Sequence, residues 1–544
     1  MPAFAAKKNL RWLGIVMFAI GALSPVSGAR AQGSGQINFA TDSDGSSSTR
    51  DGIRDILRHR AEDGTPDSPD FARLLSFYEA RNFAPAWSGD DTAQADAATA
   101  TAAFEHAAEQ GLRGADYSAP LSRWNGPPKA GRDAALYDVT LTSSFLRYAS
   151  DVRSGRFVPK DVYKDVILPA QDFDSAGMLN AALSRGSLEA LIADLPPPQL
   201  GYRGLVEALA HYRSIAQHGG WPVISGNAAI ALDGPDSRRA MLIKRLAFED
   251  PDLAEGADDE NLQVAVLRFQ QRHGLDDDGK VGPDMISELN VPAGVRAQQI
   301  VANMERWRWL PRSFERRYIR VNVPDQSVEF VRNGKVVLHS KVIIGRKNAQ
   351  TPILRTAVVA VVANPPWDIP GDIAEKQIVP KLRQNPNYLA LRKMVIANGG
   401  IQQVPGPDNV LGVLMLDSPN DFDVYLHDTG NRKNFELKTR ELSNGCVRVD
   451  QIFPLASLAY SNGESDNESE ITDAVATGQT QQLSLRDEMP LYLLYWTAWA
   501  PPGGSVDFRP DRYGRDRILL AKLAPPARKP ATQRKPAPTK VSAR

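Results

Sequence analysis

Residues 442–450 read LSNGCVRVD and contain Cys446, the only cysteine among the 544 residues of the chain. Gly445, directly before it, allows a tight backbone turn, and Val447 and Val449 alternate with a polar residue as in a half-buried β-strand. The stretch therefore predicts a turn that presents a thiol at the start of a strand. A lone cysteine can be an inert buried thiol, half of an intermolecular disulfide or a reactive nucleophile, so its surroundings must decide.

The sequence around this stretch predicts a mainly β domain over residues 317–500. Alternating or β-branched runs predict strands at YIRVNV, SVEFV, KVVLHSKVIIG, TAVVAVVAN, DVYLHD, GCVRV, QQLSLR and LYLLYWTAW, and Asn333-Gly334 predicts a hairpin turn. Residues 367–412 interrupt these strands with a more helical pattern. Because so long an insertion in a compact domain is usually functional, we expect a lid over a site.

The region before this domain is predicted to be helical. Apolar residues recur at spacings of three and four in FARLLSFYEARNF and in several similar stretches, which indicates a scaffold of amphipathic helices over residues 51–235. Residues 292–316 contain a further helix, AQQIVANMERWRWLP, that leads into the β domain. The predicted fold is therefore multidomain α+β.

Residues 236–291 predict a small helical unit with the loop LDDDGKVG between two of its helices. The loop does not fit an EF-hand calcium site, because Gly274 and Met285 occupy the positions of the first ligand and the final glutamate. The stretch LRFQQRHGLDDDGKVG instead resembles the three-helix peptidoglycan-binding domain. The matching residues are Phe269, Gln270, Gly274, Leu275, Asp278, Gly279 and Gly282. This resemblance implies attachment to the cell wall, and a helical spacer without binding remains the alternative.

The first residues predict export. A short basic segment precedes an apolar stretch of about 12 residues, too short to span a bilayer, and a small-residue cleavage pattern ends at Ala31. We interpret residues 1–31 as a cleaved signal peptide, residues 32–50 as a linker and the remainder as a protein without a membrane span. Residues 501–544 form a C-terminal extension whose basic, proline-rich end predicts disorder.

The charge of the chain is balanced, with 64 Lys or Arg and 64 Asp or Glu. This balance gives no general reason to expect nucleic acid as a partner. The sequence lacks the S-x-x-K and H-E-x-x-H patterns, and its histidines show no metal-ligand spacing. We therefore expect neither serine acyl transfer nor a metal or other cofactor.

A histidine is available to activate the thiol. The stretch VYLHDTG places His427 at the end of a predicted strand, and a nucleophile and its base need only meet in space. An imidazolium beside Cys446 would lower the thiol pKa from its usual value of about 8.5. Gly445 would let a substrate approach closely, and backbone amides near Gly445 and Cys446 could face a developing oxyanion.

Together, VYLHDTG, LSNGCVRVD and the upstream PGPDNVLG resemble the L,D-transpeptidase catalytic domain, whose signature is a histidine followed by S-[H/S/G]-G-C-[I/V]-R. The matching residues are His427, Ser443, Gly445, Cys446, Val447 and Arg448. Asn444 departs from the pattern, which should leave the nucleophile intact and puts only the local hydrogen bonding in question. The order of the predicted domains is similar to that of large periplasmic members from Gram-negative bacteria.

The resemblance implies an enzyme of cell-wall remodelling. Cys446 would attack the tetrapeptide stem of peptidoglycan, expel D-alanine and hold the stem as a thioester, with His427 as general base and then acid. An amine of a second stem would then form a 3-3 cross-link, and the cysteine would be sensitive to carbapenems. Tyr425 and Asp428 would shape the site, and Ser443 would hydrogen-bond the backbone or the histidine.

Two questions stay open at this point. Arg448 could pair with a substrate carboxylate or merely stiffen the turn. The thioester could also be resolved by water, by a D-amino acid or by an amine of an outer-membrane protein. A non-catalytic wall-binding scaffold with an inert Cys446 is the remaining alternative.

Overall fold

The computed structural model describes residues 48–62, 68–171, 173–233, 235–253, 258–397, 399–461, 468–501 and 505–525. The predicted signal peptide, most of the predicted linker and the basic tail lie outside these residues. Within these ranges, no helix combines the length and the apolar character that crossing a bilayer requires.

The N-terminal part of the described chain is helical, as predicted. Its helices are α1 (Thr49–Glu62), α2 (Pro69–Ala80), α3 (Asp91–Glu105), α4 (Ala115–Ser118), α5 (Gly131–Ser154), α6 (Pro159–Val162), α7 (Ser175–Arg185), α8 (Leu188–Asp194) and α9 (Leu200–Gln217). The long helix α5 is buried along much of its length. Its Asp138 accepts hydrogen bonds from the amides of Ala86, Trp87 and Ser88, which fixes the loop between α2 and α3. A short strand that was not predicted, β1 (Val166–Ile167), follows α6.

A three-helix unit follows, consisting of α10 (Arg239–Leu246), α11 (Asp259–Arg272) and α12 (Pro283–Leu289). It encloses its own apolar core, to which Leu246 and Phe269 belong. Gln270 organises the loop after α11, because its side chain donates to Asp278 and accepts from the amide of Gly279. The residues that suggested a peptidoglycan-binding loop thus hold that loop together.

Helix α13 (Ala293–Arg308) connects this unit to the β domain and carries buried charges. Glu305 accepts a hydrogen bond from the amide of Phe157 in the helical region, and Arg306 forms an ion pair with Asp516 near the C-terminus. Breaking a buried ion pair leaves an uncompensated charge and costs about 3–5 kcal/mol. The charges of α13 therefore fix it between the helical region and the C-terminal extension.

The β domain begins with β2 (Arg317–Asn322), β3 (Ser327–Arg332), β4 (Lys335–Gly345) and β5 (Ile353–Ala363). β2, β3 and β4 form an antiparallel meander. Asn333 and Gly334 adopt positive φ angles of 52° and 75° in the turn between β3 and β4. This confirms the predicted hairpin.

The insertion contains the predicted helical segments and, in addition, three short strands that were not predicted. It contains β6 (Trp367–Asp368), α14 (Gly371–Ile373), a π-helical turn (Ala374–Ile378), α15 (Val379–Gln384), α16 (Tyr388–Leu391), β7 (Met394–Ala397) and β8 (Gly400–Gln403). β8 pairs with both β6 and β7, and Ile369, Ile378 and Met394 form a separate small core. Strands of two to four residues are too short to show a period of two.

The remaining elements of the domain are β9 (Leu414–Asp417), β10 (Leu426–His427), β11 (Glu441–Ser443), β12 (Val447–Val449), α17 (Ile452–Tyr460), α18 (Glu468–Ala476) and β13 (Gln481–Leu494). The strand order β5-β13-β2-β3-β4-β12-β10-β9 closes on itself, because β9 also pairs with β5. β13 unites the two strands predicted in QQLSLR and LYLLYWTAW, with an irregularity between Ser484 and Met489.

Segments before and after this domain in the sequence contribute to it. β1, from the helical region, extends the sheet parallel to β5, with Val166 opposite Ile353. After β13 the chain forms β14 (Ala498–Trp499), β15 (Asp507–Phe508) and helix α19 (Arg515–Leu523), one face of which is buried. The catalytic candidates therefore lie in a domain that the helical region and the C-terminal extension help to build.

Candidate active site

The register of two neighbouring strands places His427. β10 and β12 run parallel, with Leu426 opposite Val447 and His427 opposite Arg448. Successive side chains of a strand point to opposite faces, and Leu426 and Val447 belong to the core. His427 and Arg448 therefore lie side by side on the other face of the sheet.

The same alternation places Cys446 on that face. Cys446 directly precedes β12, and the amide of Val447 donates to the carbonyl of Tyr425 at 2.9 Å, which continues the pairing of the two strands. Tyr425 and Cys446 thus form the next row beside His427 and Arg448. The structure brings together four of the predicted site residues as two adjacent rows on one sheet face.

The turn that leads to Cys446 consists of Ser443, Asn444 and Gly445. Ser443 donates its hydroxyl proton to the carbonyl of Cys446 at 2.6 Å and accepts a hydrogen bond from the amide of Gly445 at 3.1 Å. Gly445 has a φ of 126°, which L-residues rarely adopt. Ser443 binds the backbone, and because it uses the Gly445 amide, that amide does not face the space beside the thiol.

The loop between β4 and β5 supports this turn, since β4 pairs with both β11 and β12. In this loop, residues 345–351, the amide of Arg346 donates to the carbonyl of Ser443 at 3.1 Å, and the Arg346 guanidinium donates to the side-chain oxygen of Asn444. The hydroxyl of Thr351 donates to the carbonyl of Gly445 at 2.8 Å. Asn444 is thus an exposed partner of Arg346.

His427 is buried, with 2% of its surface exposed. Its Nδ1 donates to the carbonyl oxygen of Asp428 at 2.6 Å, and because a carbonyl oxygen only accepts, the basic nitrogen is Nε2. Burial and the nearby charge of Arg448 lower the pKa of His427 to about 3, although the carbonyls of Asp428 and Leu411 favour protonation. The imidazole is therefore neutral at neutral pH.

Cys446 is also in an environment that favours its neutral form. Burial raises the pKa of the thiol, and a backbone hydrogen bond from Tyr425 and the positive charge of Arg448 only partly offset this. The Sγ atom donates to the carbonyl oxygen of Asp423 at 3.6 Å. The expectation that an imidazolium lowers the thiol pKa is wrong for this resting state, because the same burial and the same arginine keep His427 unprotonated.

Arg448 is the cation of the site. Its side chain is half-buried, its Nε is buried without a hydrogen-bond partner, and across the described ranges its guanidinium forms no ion pair. Burial lowers the pKa of Arg448, and a thiolate at Cys446 opposes that shift. A guanidinium without a carboxylate, next to a thiol, can receive an anionic group of a bound molecule.

The two remaining predicted residues act at the edges of the site. Asp428 is buried and directed away from the thiol, since it accepts hydrogen bonds from Arg432 and from the amide of Val413, both at 3.1 Å. The hydroxyl of Tyr425 donates to Asp423 at 3.4 Å. Burial and the negative charges of Asp423 and Asp417 raise the pKa of Tyr425 to about 12.

Three further residues support the site and were not predicted from the sequence: Thr351, Arg346 and Asp423. Thr351 and Arg346 lie about a hundred positions before the residues they bind, in a loop without a recognisable motif. Asp423 acts through its backbone carbonyl, to which its side chain gives no clue. Only the closed sheet brings these groups to the thiol.

Three regions of the chain match family models. Residues 316–463 match the "L,D-transpeptidase catalytic domain", residues 72–209 match the "Scaffold domain", and residues 241–289 match the "Putative peptidoglycan binding domain". A Haemophilus influenzae protein named "Putative L,D-transpeptidase" is 32% identical over 248 residues, which cover 42% of this chain and 50% of that protein. The chain thus spans about half the length of the curated relative it matches.

Two solved structures are also similar. One is an L,D-transpeptidase from Xylanimonas cellulosilytica, 17% identical, with a TM-score of 0.19 and coverage of 50% of this chain and 98% of that one. The other is the Ldtfm-avibactam carbamoyl enzyme, 14% identical, with a TM-score of 0.19 and coverage of 53% and 98%. Overlap at this level does not bear on the details of the site.

Proposed function

We propose that this chain, whose residues 316–463 form an L,D-transpeptidase catalytic domain, is a peptidoglycan acyltransferase that forms 3-3 cross-links through a thioester on Cys446. The observation that carries the proposal is the pairing of β10 with β12, which sets Cys446 and Arg448 beside Tyr425 and His427 on one sheet face. A nucleophile, a base and a cation for a carboxylate then share one surface.

The first half-reaction starts from a neutral pair. The thiol must turn from the carbonyl of Asp423 toward His427, and its proton moves to Nε2 as Sγ attacks the peptide carbonyl before the terminal D-alanine. The hydrogen bond from Nδ1 to Asp428 holds the required tautomer. The imidazolium then protonates the leaving nitrogen, the C–N bond breaks, and D-alanine departs from the thioester.

The second half-reaction reverses these roles. The amine of a second stem attacks the thioester, His427 takes the proton of that amine, and the proton returns to sulfur as the C–S bond breaks. Water, a D-amino acid or an outer-membrane protein amine would follow the same steps. The negative charges of Asp423 and Asp417 beside Tyr425 favour an amine acceptor over water, because an ammonium group is stabilised there. Among amines we choose that of a second stem, as the resemblance to L,D-transpeptidases implies.

One amide is suited to the oxyanion of each step. The amide of Cys446 donates to no other residue in the part of the chain described, whereas the amides of Gly445 and Val447 are engaged by Ser443 and Tyr425. This amide contacts only the sulfur of its own residue. A donor at the nucleophile that no other residue uses can stabilise charge on the attacked carbonyl. We assign this role to the Cys446 amide.

The three-helix unit would bring the wall to this site. Lys438, on the segment that leads to Cys446, forms ion pairs with Asp284 at 2.9 Å and Asp276 at 3.5 Å in that unit. A glycan bound there would keep its stems near the thiol. We further propose that the protein is exported to the periplasm with a cleaved signal peptide, and that the insertion acts as a lid.

The test is the intact mass of the purified protein with a tetrapeptide stem and, separately, with a carbapenem. We expect one covalent adduct per chain with each reagent, release of D-alanine from the stem, and cross-linked dimers when a second stem is added. Cys446→Ala, checked for folding by circular dichroism, should show none of these. Cross-linked product from Cys446→Ala would overturn the proposal, as would a folded wild-type protein that releases no D-alanine.

A further inference from the structure

The carbonyl of Gly445, the residue before the nucleophile, is held by a buried hydroxyl. Thr351 is fully buried, and its hydroxyl oxygen accepts a hydrogen bond from the amide of Gly345 at 2.9 Å. An amide can only donate, so the hydroxyl proton is free to go to the carbonyl of Gly445, at 2.8 Å. The direction of both hydrogen bonds is therefore determined.

This bond also sets the direction of the Cys446 amide. The peptide between Gly445 and Cys446 is planar and trans, so its C=O and N–H point in opposite directions. A hydroxyl that fixes the carbonyl on one side fixes the N–H on the other. That N–H has no partner residue in the described ranges, and it is the donor assigned above to the oxyanion.

Thr351 is itself held by residues outside the matched catalytic domain. Tyr513 donates its hydroxyl proton to the carbonyl of Gly345 at 2.6 Å. The hydroxyl oxygen of Tyr513 accepts a hydrogen bond from the amide of Thr351 at 3.4 Å. Arg515, 2% exposed, donates to the carbonyl of Thr351 at 3.3 Å and forms an ion pair with Asp165. The C-terminal segment thus reaches Thr351 directly, and Asp165, the residue before β1, reaches it only through Arg515.

We propose that Thr351 is a positioning residue that aims the Cys446 amide at the oxyanion, and that Tyr513 and Arg515 keep it in place. Thr351 touches no reacting atom and acts only through the Gly445 carbonyl. The inference rests on the proposed function for its biological meaning. The orientation of the Cys446 amide by Thr351, however, should affect any reaction that acylates Cys446.

Two reagents separate this role from a general structural one. 4-Nitrophenyl acetate acylates a thiol through a tetrahedral oxyanion, as the S–C bond forms and 4-nitrophenolate leaves. Iodoacetamide alkylates it by displacement of iodide without such an oxyanion. Loss of an oxyanion donor lowers the rate of catalysis by about 10²- to 10³-fold. We therefore expect Thr351→Val to lower the rate of acylation about tenfold or more. The rate of alkylation should change less than about twofold between pH 7 and 10.

The controls are matched in chemistry. Thr351→Ser keeps the hydroxyl group and should restore the rate of acylation. Thr472→Val removes an exposed hydrogen bond from a hydroxyl group within α18 and should change the rate of neither reaction. Tyr513→Phe should lower acylation less than Thr351→Val does, again with alkylation preserved. It also serves as the test variant if Thr351→Val does not fold, which thermal unfolding will show.

Equal losses in both reactions, or no loss of acylation in folded Thr351→Val or Tyr513→Phe, would overturn the proposal. Failure of the proposed function looks different. In that case wild-type protein would release no D-alanine from a tetrapeptide, while the ratio of acylation to alkylation would still respond to residue 351.

Discussion

His427 and Arg448 lie directly opposite each other on adjacent parallel strands, so the base of the proposed reaction has a permanent cation as its neighbour. The cation disfavours an imidazolium and favours a thiolate. Burial, the larger effect on both groups, disfavours either charge. The resting site therefore contains a neutral thiol and a neutral imidazole instead of a thiolate–imidazolium ion pair. In the proposed reaction, the thiol loses its proton only as it attacks the substrate.

The pH dependence of thiol alkylation tests this resting state. Because burial raises the pKa of Cys446, the rate of alkylation by iodoacetamide should rise with pH and reach half its maximum above about 8.5, the usual value for a free thiol. The measurement is the mass of the alkylated protein at intervals between pH 6 and 11. His427→Gln should give the same half-point, whereas a wild-type half-point below 7 would indicate a preformed ion pair.

Arg448→Gln should weaken binding of the donor stem. A hydrogen bond to a charged group contributes about 1.5–3 kcal/mol, so we expect the donor KM to rise roughly 10- to 100-fold. Removing the cation should also move the alkylation half-point to higher pH, because Arg448 lowers the pKa of Cys446. Arg448→Lys keeps the charge and should restore the half-point, but only part of the affinity. An unchanged donor KM in Arg448→Gln would leave the arginine with a structural role only.

The stability of the protein should fall in acid partly because of His427. Its pKa is about 3 in the folded state against about 6.5 in an unfolded chain. The depressed value means that its stabilising contribution is complete above pH 6.5 and is lost as the pH falls toward 3, by an amount on the order of a few kcal/mol. His427→Gln should reduce the difference in unfolding free energy between pH 7 and pH 4, measured by urea denaturation. The exposed His59→Gln serves as the control, and an equal reduction there would contradict the assignment.

The insertion can be removed without opening the sheet. Trp367 pairs with Gln403 and Asp368 with Gln402, so an Asn-Gly turn can join Asp368 to Gln402 in place of residues 369–401. The separate core of the insertion means that the remaining domain should stay folded. If the insertion covers bound stems, the donor KM should rise at least tenfold, while acylation by 4-nitrophenyl acetate stays within about twofold. Unchanged turnover and stem affinity in this folded variant would remove the lid from the proposal.

Some of the site was visible in the sequence because it is local. The alternation around Cys446 predicted β12, and the same logic placed His427 on a strand, so that pairing of two short segments produced the shared face. The ionisation of these residues could not be predicted in this way. It depends on burial and on the neighbour across the strand pair, which a linear sequence does not show.

The elements that were missed depend on distant contacts. β1 is a strand only because β5 lies beside it, and its two residues have no period to detect. Thr351 meets Gly445 across 94 positions, and the short strands of the insertion form around a core that was not foreseen. Tertiary context decides such segments, and local propensity does not.

The ion pair between Asp165 and Arg515 joins residues 350 positions apart. A ribosome produces Arg515 long after Cys446, so during synthesis the nucleophile exists for a time without the residues that hold Thr351. We expect an unfinished chain, or one cut by a protease shortly before Arg515, to have low acyl-transfer activity, because Thr351 lacks the contact with Arg515. Contact between Asp165 and the C-terminal segment would thus act as a check on completeness before Cys446 can be acylated efficiently.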